Sequence, residues 1–250
     1  MSGRIKKALI LAAGLGTRLL PLTSDRPKSL VPVNGKPILF QQAESLMQCG
    51  IEDITIVSGY QSDRLEGEVK RKWKDIHIVR NREYASTNNM YSAWLGMRDM
   101  FPEKIDCPFL MMNADVYFDA SVIAALLEQN SGNAIIVDIG RYMEESMKVI
   151  ERNGRIVEIS KQIKAEDALG CSIDVYKFGI DGGQLFYDVC GKYVECGDLQ
   201  RWSEVALNDV LKKGKAFFVS CPLRGRWMEI YNYEDLRTAE QIFSVGASEK

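Results

Sequence analysis

Gly14, Gly16, Arg18 and Lys28 crowd one short stretch of the chain, directly after the apolar run Ala8 to Ala13. Bare glycine backbone lets a ligand approach closely. Loop N–H groups with an arginine beside them suit a polyphosphate. Three explanations compete. A dinucleotide fingerprint needs a third glycine, but Leu19 stands there and Pro21 breaks any following helix. The ATP-binding pattern G-x-x-x-x-G-K-[ST] is absent. The third is an ordinary strand-to-loop turn that carries a cation. Further along, the apolar run from Pro108 ends in Asn113-Ala114-Asp115. An aspartate at the carboxyl end of a central strand can hold a cation or cap the next turn. Magnesium on phosphates needs only one or two carboxylates. Asn81 to Trp94 forms a second polar stretch, with Asn81, Thr87, Asn88, Asn89 and Ser92. Its amides either cap a helix, with Thr87 or Asn88 as N-cap, or read a nucleobase edge or second substrate.

These residues need a scaffold that brings distant strand ends together. The apolar run after Lys7 reads as a buried parallel strand. A helix from about Pro37 to Cys49 follows, with Gly50 at its end. Ile54 to Val57 is a strand closing on Gly59, Ser62 to Trp73 a charged helix, and Ile76 to Val79 a strand. Pro108 to Phe118 reads as one central strand, Asp119 as the cap of a helix to Gln129, and Ala134 to Asp138 as a further strand. This alternation predicts an α/β fold, a Rossmann-like doubly wound, mostly parallel mixed sheet with ligands at the carboxyl ends of strands.

The character then changes. Lys148 to Ser160 is a hairpin turning at Asn153-Gly154. Ala168 to Phe178 is a strand in which Gly170 permits close approach to a ligand. Helices from Gly182 to Cys196 and from Trp202 to Lys212, capped by Ser203, are followed by strands at Lys215–Ser220 and Arg226–Tyr231. Asn232 caps a closing helix to about Phe243. A β-rich region thus follows the α/β part. The division reads as one domain over 1–245, with halves meeting near 140 and a polar tail at 246–250.

Composition narrows the function classes. The 250 residues are 46% apolar and 26% charged with a net charge of −2, which gives no basic face for nucleic acid. No apolar stretch is long enough to span a membrane. Met1 to Lys7 does not resemble a secretory signal. Six cysteines without a C-x-x-C pair read as reduced, mostly buried thiols of a cytoplasmic protein. The single histidine, His77, has no cysteine cluster near it, so zinc is not expected. Oligomeric state is not readable.

Leu11-Ala12-Ala13-Gly14-Leu15-Gly16-Thr17-Arg18-Leu19, then Pro21-Leu22-Thr23 and Arg26-Pro27-Lys28, resembles the opening of the nucleoside-triphosphate:phosphosugar nucleotidyltransferases. The Asn88-Asn89-Met90-Tyr91-Ser92 stretch is similar to that of the bacterial CTP-dependent phosphocholine and phosphonate cytidylyltransferases. The resemblance implies a loop around the triphosphate, formed by Ala12, Ala13, Gly14, Gly16 and Thr17. It implies Arg18 on the β and γ phosphates and Lys28 near the α phosphate. Gly59, Asn81, Asn88 and Ala114 join the nucleotide site. The resemblance also implies Mg2+ on Asp115, with Glu229 as second acid. In these relatives the last strand reads Trp-x-Glu-Ile-Asp, whereas this chain has Trp227-Met228-Glu229-Ile230-Tyr231. Glu229 and Tyr231 share a face by strand period.

The implied reaction is CMP transfer from CTP to a small phosphate or phosphonate, with pyrophosphate leaving. A phosphate monoester is already largely dianionic at neutral pH, so no general base is required. Lys161, after the hairpin, stands where related enzymes hold the acceptor phosphate, and Asn89 is a further acceptor contact. A quaternary ammonium would want an aromatic cage, from Trp202, Trp227, Tyr176, Tyr84 or Tyr231. A primary amine would want a carboxylate, with Glu166, Asp174 and Glu204 as candidates. Two alternatives stay open: a sugar-1-phosphate nucleotidyltransferase using UTP, dTTP or GTP, and a nucleotide-sensing domain without chemistry.

Overall fold

The computed structural model describes residues 5–221 and 226–244. The first residues and the tail at 246–250 fall outside that range. Thirteen strands and seven α-helices follow in chain order. The first half holds β1 (Lys7–Ala12), β2 (Pro32–Val33), β3 (Lys36–Pro37), α1 (Ile38–Gln48), β4 (Asp53–Ser58), α2 (Ser62–Lys72), β5 (His77–Arg80), α3 (Asn89–Met100), β6 (Phe109–Asn113), β7 (Val116–Phe118), α4 (Ala120–Glu128) and β8 (Ala134–Ile139). The second holds β9 (Lys148–Arg152), β10 (Arg155–Ser160), β11 (Gly170–Phe178), α5 (Ile180–Glu195), α6 (Ser203–Lys212), β12 (Phe218–Ser220), β13 (Trp227–Glu229) and α7 (Tyr233–Ile242).

One nine-stranded sheet runs through both halves in the order β10-β9-β11-β6-β1-β4-β5, with β8 joining β11 and β12 joining β8. The stretch β6-β1-β4-β5 is parallel. β11 then enters antiparallel to both β6 and β8. Parallel register aligns Ala12 with Ser58 and Leu11 with Asn113, so three strands end side by side.

β1 shows why the sheet is covered on both faces. Ala8, Ile10 and Ala12 pack toward α1, α2 and α4, whereas Leu9 and Leu11 pack toward α3, α5 and α6. With period-2 alternation, a strand sandwiched this way must be apolar throughout. Burying one such Leu or Ile side chain stabilises the fold by about 1.5–3 kcal/mol.

The run from Pro108 to Phe118 is two strands, not one. After Asn113 the chain leaves the main sheet, and β7 pairs antiparallel with β13 in a separate two-stranded sheet. The buried Gln42 amide of α1 donates to the carbonyls of Asn113 and Val116, both at 2.8 Å, which fixes the corner. The two pieces read as one because both are buried. Gly170 also has another use than ligand approach: a Cβ there would lie 2.8 Å from the Asp138 carbonyl carbon, so the close neighbour is β8. The N-cap of α6 is Trp202, and the Ser203 hydroxyl instead donates to Glu204 at 3.0 Å. Only Cys171 and Cys190 are buried; Cys49, Cys107 and Cys221 are half-buried and Cys196 is exposed.

Candidate functional site

The carboxyl ends of β1 and β6, the start of α3 and the middle of β11 enclose a cleft of about 260 Å³. Ala12, Ala13 and Gly14 form one rim, and Lys28, Ala114 and Asp115 the floor. Asn81, Asn88 and Asn89 line one wall; Lys161, Trp202, Glu229 and Tyr231 line the other.

Lys28 Nζ donates to Asp115 Oδ2 at 2.8 Å, with the two side chains only 16% and 27% exposed. Gly16 makes this reach possible. Its φ of +64° favours glycine, and a Cβ would lie 2.7 Å from Lys28 Cβ. Asp115 is fixed by backbone bonds on both sides, from Ala114 N to Leu11 O at 3.0 Å and from Ile230 N to Asp115 O at 2.9 Å. Its Oδ1 is buried and has no hydrogen-bond partner among the described residues.

Glu229 lies beside Asp115 and accepts from the Ser146 hydroxyl at 2.9 Å. Burial, then the Asp115 charge, pushes its carboxyl up to about 7, against the pull of Tyr231, Ser146 and Lys28. An unpartnered aspartate oxygen beside a crowded second carboxylate fits a hard cation. Among the described residues no three His, Cys, Asp or Glu side chains converge as a ready-made cage. Two acids suffice where phosphates complete the shell.

Asn88 caps α3 through its side chain, which accepts from Asn89 N at 2.8 Å. The Asn81 amide organises its own loop, donating to Thr87 and Ser92 at 3.0 and 3.1 Å and accepting from Glu83 N. Asn89 opens a polar chain along the cleft wall. Its Oδ1 accepts from Ser203 N at 2.9 Å, and Asn113 next to it donates to Asp174 at 2.9 Å. Asp174 sits at φ +55° where the β11–β8 register shifts, a bulge that turns its carboxyl out of the strand's regular order. Buried Tyr176 stands between Asp174 at 3.0 Å and Glu204 at 2.7 Å. Burial, then the neighbouring Glu229, Glu204 and Asp115 charges, holds the Asp174 carboxyl well above the usual range. Both Asp174 and Glu204 line the cleft.

Several expected residues fall elsewhere. Tyr176 is 1% exposed and lies under the wall, holding two acids. Trp227 is buried beneath the Arg141 guanidinium and donates to Asp138 at 2.9 Å, away from the cleft. Glu166 is 73% exposed beside Lys164. Gly16 and Thr17 stand outside the lining, Gly16 against the Lys28 stem and Thr17 at the start of an exposed 3-10 turn. Arg18 lines a shallower neighbouring hollow, pairing with Glu145 at 3.4 Å. Gly59 is buried behind the rim, where a Cβ would lie 2.6 Å from both Ala13 O and Tyr84 Cβ. Gly59→Ala is therefore expected to destabilise the protein by about 1–3 kcal/mol through overpacking, read from the urea midpoint; an unchanged midpoint would refute this packing role.

Asn113, Ser29 and Met147 line the cleft without having been singled out for it, and Tyr84, an aromatic-cage candidate, lines it too. Asp174 carries a signal that could have promoted it: β11 is buried along its whole length, so an acid there needs a reason.

A family model described as Nucleotidyl transferase matches residues 7–156. CTP:phosphoglutamine cytidylyltransferase from Campylobacter jejuni is 30% identical over 185 residues, covering 68% of this chain and 72% of that protein. Mannose-1-phosphate guanylyltransferase catalytic subunit beta from Xenopus tropicalis is 39% identical over 114 residues, covering 45% of this chain and 31% of that protein. The solved CTP:phosphocholine cytidylyltransferase from Streptococcus pneumoniae overlays with a TM-score of 0.73 at 26% identity, covering 94% of this chain and 98% of that one. With its glycine rim, Lys28–Asp115 floor and a family match over more than half its length, the chain belongs to the nucleotidyl transferase family.

Proposed function

We propose that the protein transfers CMP from CTP to a small phosphate or phosphonate that carries an amine, and releases pyrophosphate. The observation that carries this reading is the Lys28–Asp115 pair at 2.8 Å on the cleft floor, below the Gly14 rim and facing Lys161. The nucleotide half covers about 1–140 and the acceptor half about 141–245, which fold over one sheet. Similarity to two cytidylyltransferases supports CTP as the donor.

The acceptor oxygen attacks the α phosphorus in line with departing pyrophosphate. No side chain takes a proton, because the acceptor arrives as a dianion. The protein holds two anions together and neutralises charge on the bridging oxygen. Lys28 screens the α phosphate, the Gly14 and Gly16 backbone and Arg18 the leaving group, and Lys161 the acceptor phosphate. Asp115 and Glu229 would hold Mg2+, which supplies Lewis-acid stabilisation of the phosphoryl oxygens. The asparagine wall, Asn81 to Asn89, faces the base.

An amine in the acceptor follows from Asp174 and Glu204. The hydrogen-bond partners of both carboxyls are neutral: an amide, a phenol and serine hydroxyls. Buried acids with neutral partners favour a cation beside them, on their cleft side. The same groups could accept from sugar hydroxyls, and the guanylyltransferase relative supports that second reading.

A pyrophosphate-release screen of CTP, UTP, dTTP and GTP against phosphocholine, phosphoethanolamine, 2-aminoethylphosphonate and sugar-1-phosphates tests the proposal. Turnover with CTP and an amine-bearing acceptor is expected. In that reaction Asp174→Asn and Glu204→Gln should each raise the acceptor KM by about tenfold or more, with the KM for CTP nearly unchanged. Preference for UTP and a sugar-1-phosphate would overturn the proposal.

A further inference from the structure

Three cations from three separate segments meet at one aromatic ring. Lys28 Nζ lies 5.2 Å, Lys161 Nζ 5.3 Å and Arg18 Cζ 5.7 Å from the ring centroid of Tyr231. Lys161 also stands 5.2 Å from the Trp202 ring. A cation within about 6 Å of a ring centroid is drawn to its negative face. Three positive groups this close repel one another. An aromatic face attracts them all without a formal negative charge, so it adds no carboxylate beyond Asp115 on Lys28 and Glu145 on Arg18. Phosphate can still claim each one.

The ring is held in place for this. Tyr231 N donates to Asp235 Oδ2 at 2.8 Å, which anchors the residue to the start of α7. Its hydroxyl donates to Glu145 O at 3.3 Å. The ring borders both the main cleft and the hollow that contains Arg18, so it is the wall the two share.

We propose that Tyr231 is a positioning residue for the transfer. Its ring gathers Arg18, Lys28 and Lys161 into one array before substrate arrives. The array joins the cations assigned to the leaving pyrophosphate, the α phosphate and the acceptor phosphate, and so rests on the nucleotidyl-transfer reading. The repulsion between the cations is met during folding instead of during the reaction, which is the essence of electrostatic preorganisation.

The test uses the full chain with two readouts. The first needs no turnover: 13C-lysine labelling, with the ε-CH2 signals of Lys28 and Lys161 assigned from Lys28→Arg and Lys161→Arg. Ring current should move the Lys28 signal upfield of the other lysines in wild type and in Tyr231→Phe. It should return to the ordinary position in Tyr231→Leu and Tyr231→Met. Lys28 is the cleaner reporter because Lys161 also faces Trp202. An unshifted Lys28 signal in wild type overturns the proposal, even if no leucine or methionine variant folds. The second readout is kinetic. Tyr231→Leu should lose about tenfold in kcat with little change in either KM, whereas Tyr231→Phe stays within about threefold of wild type. Equal losses in Tyr231→Phe and Tyr231→Leu overturn the proposal, because they assign the effect to the hydroxyl. Wild type that turns over no nucleotide–acceptor pair refutes the nucleotidyl-transfer reading, whereas the lysine signal still decides whether the ring gathers the cations.

Discussion

Lys28→Ala should lower turnover by about a hundredfold or more at saturating CTP and acceptor, the cost of removing one preorganised electrostatic group. Lys28 is the cation on the cleft floor, 16% exposed and bonded to Asp115 at 2.8 Å. Its ammonium is worth more there than at the surface, because little water screens it. The same change strips Asp115 of the one cation it pairs with among the described residues, where its other carboxyl oxygen already lacks a partner. The variant should therefore also unfold at lower urea when the metal is chelated, and magnesium with CTP should restore much of that loss. Steady-state pyrophosphate release and urea midpoints, with and without chelator, separate the two effects. Turnover within threefold of wild type would remove Lys28 from the chemistry.

Glu229→Gln should change stability and activity in opposite directions. Burial and the Asp115 charge lift the Glu229 carboxyl from 4.5 to about 7. Between those values the folded protein holds a proton that the unfolded chain has released. Unfolding free energy therefore falls as pH rises through that window, by about 3 kcal/mol in all from this group. The glutamine has no charge to lose. In chelator it should match wild type near pH 4 and exceed it by that order at pH 8. Asp174 is shifted the same way, in part by the Glu229 charge, so the glutamine also relieves Asp174 and the difference between the two curves reports the two acids together. On the metal role proposed for Glu229, metal-dependent turnover should fall at least about tenfold. Parallel pH curves for the two proteins would refute the burial argument.

The parts of the site that lie along one strand and its loop were legible in the sequence. Gly14 and Asp115 follow apolar runs, and an abrupt change from apolar to polar marks a strand end; Lys28 stands in the proline-broken loop after the glycines. The parallel core was legible for the same reason, because strands and helices alternate through residue 139. The antiparallel insertion of β11 was not, since pairing direction leaves no mark on a strand buried on both faces. The aromatic candidates divided by depth. Trp202 reached the cleft, whereas Tyr176 went beneath it and Trp227 was buried away from it, and residue type alone does not encode depth. Glu166 and Glu204 are both glutamates near a helix or loop boundary. Only the packing of α6 against β10 and α3 brings Glu204 inward.

The small sheet of β7 and β13 has a consequence for synthesis. Asp115 precedes β7 and Glu229 ends β13, and the bond from Ile230 N to Asp115 O ties the two together. A nascent chain on the ribosome exposes the glycine rim, Lys28 and Asp115 long before residues 227–229 emerge. Throughout that interval the carboxylate pair does not exist. The half-made protein therefore has the Gly14 rim and Asp115 without Glu229, and the acidic pair is complete only when β13 docks on β7.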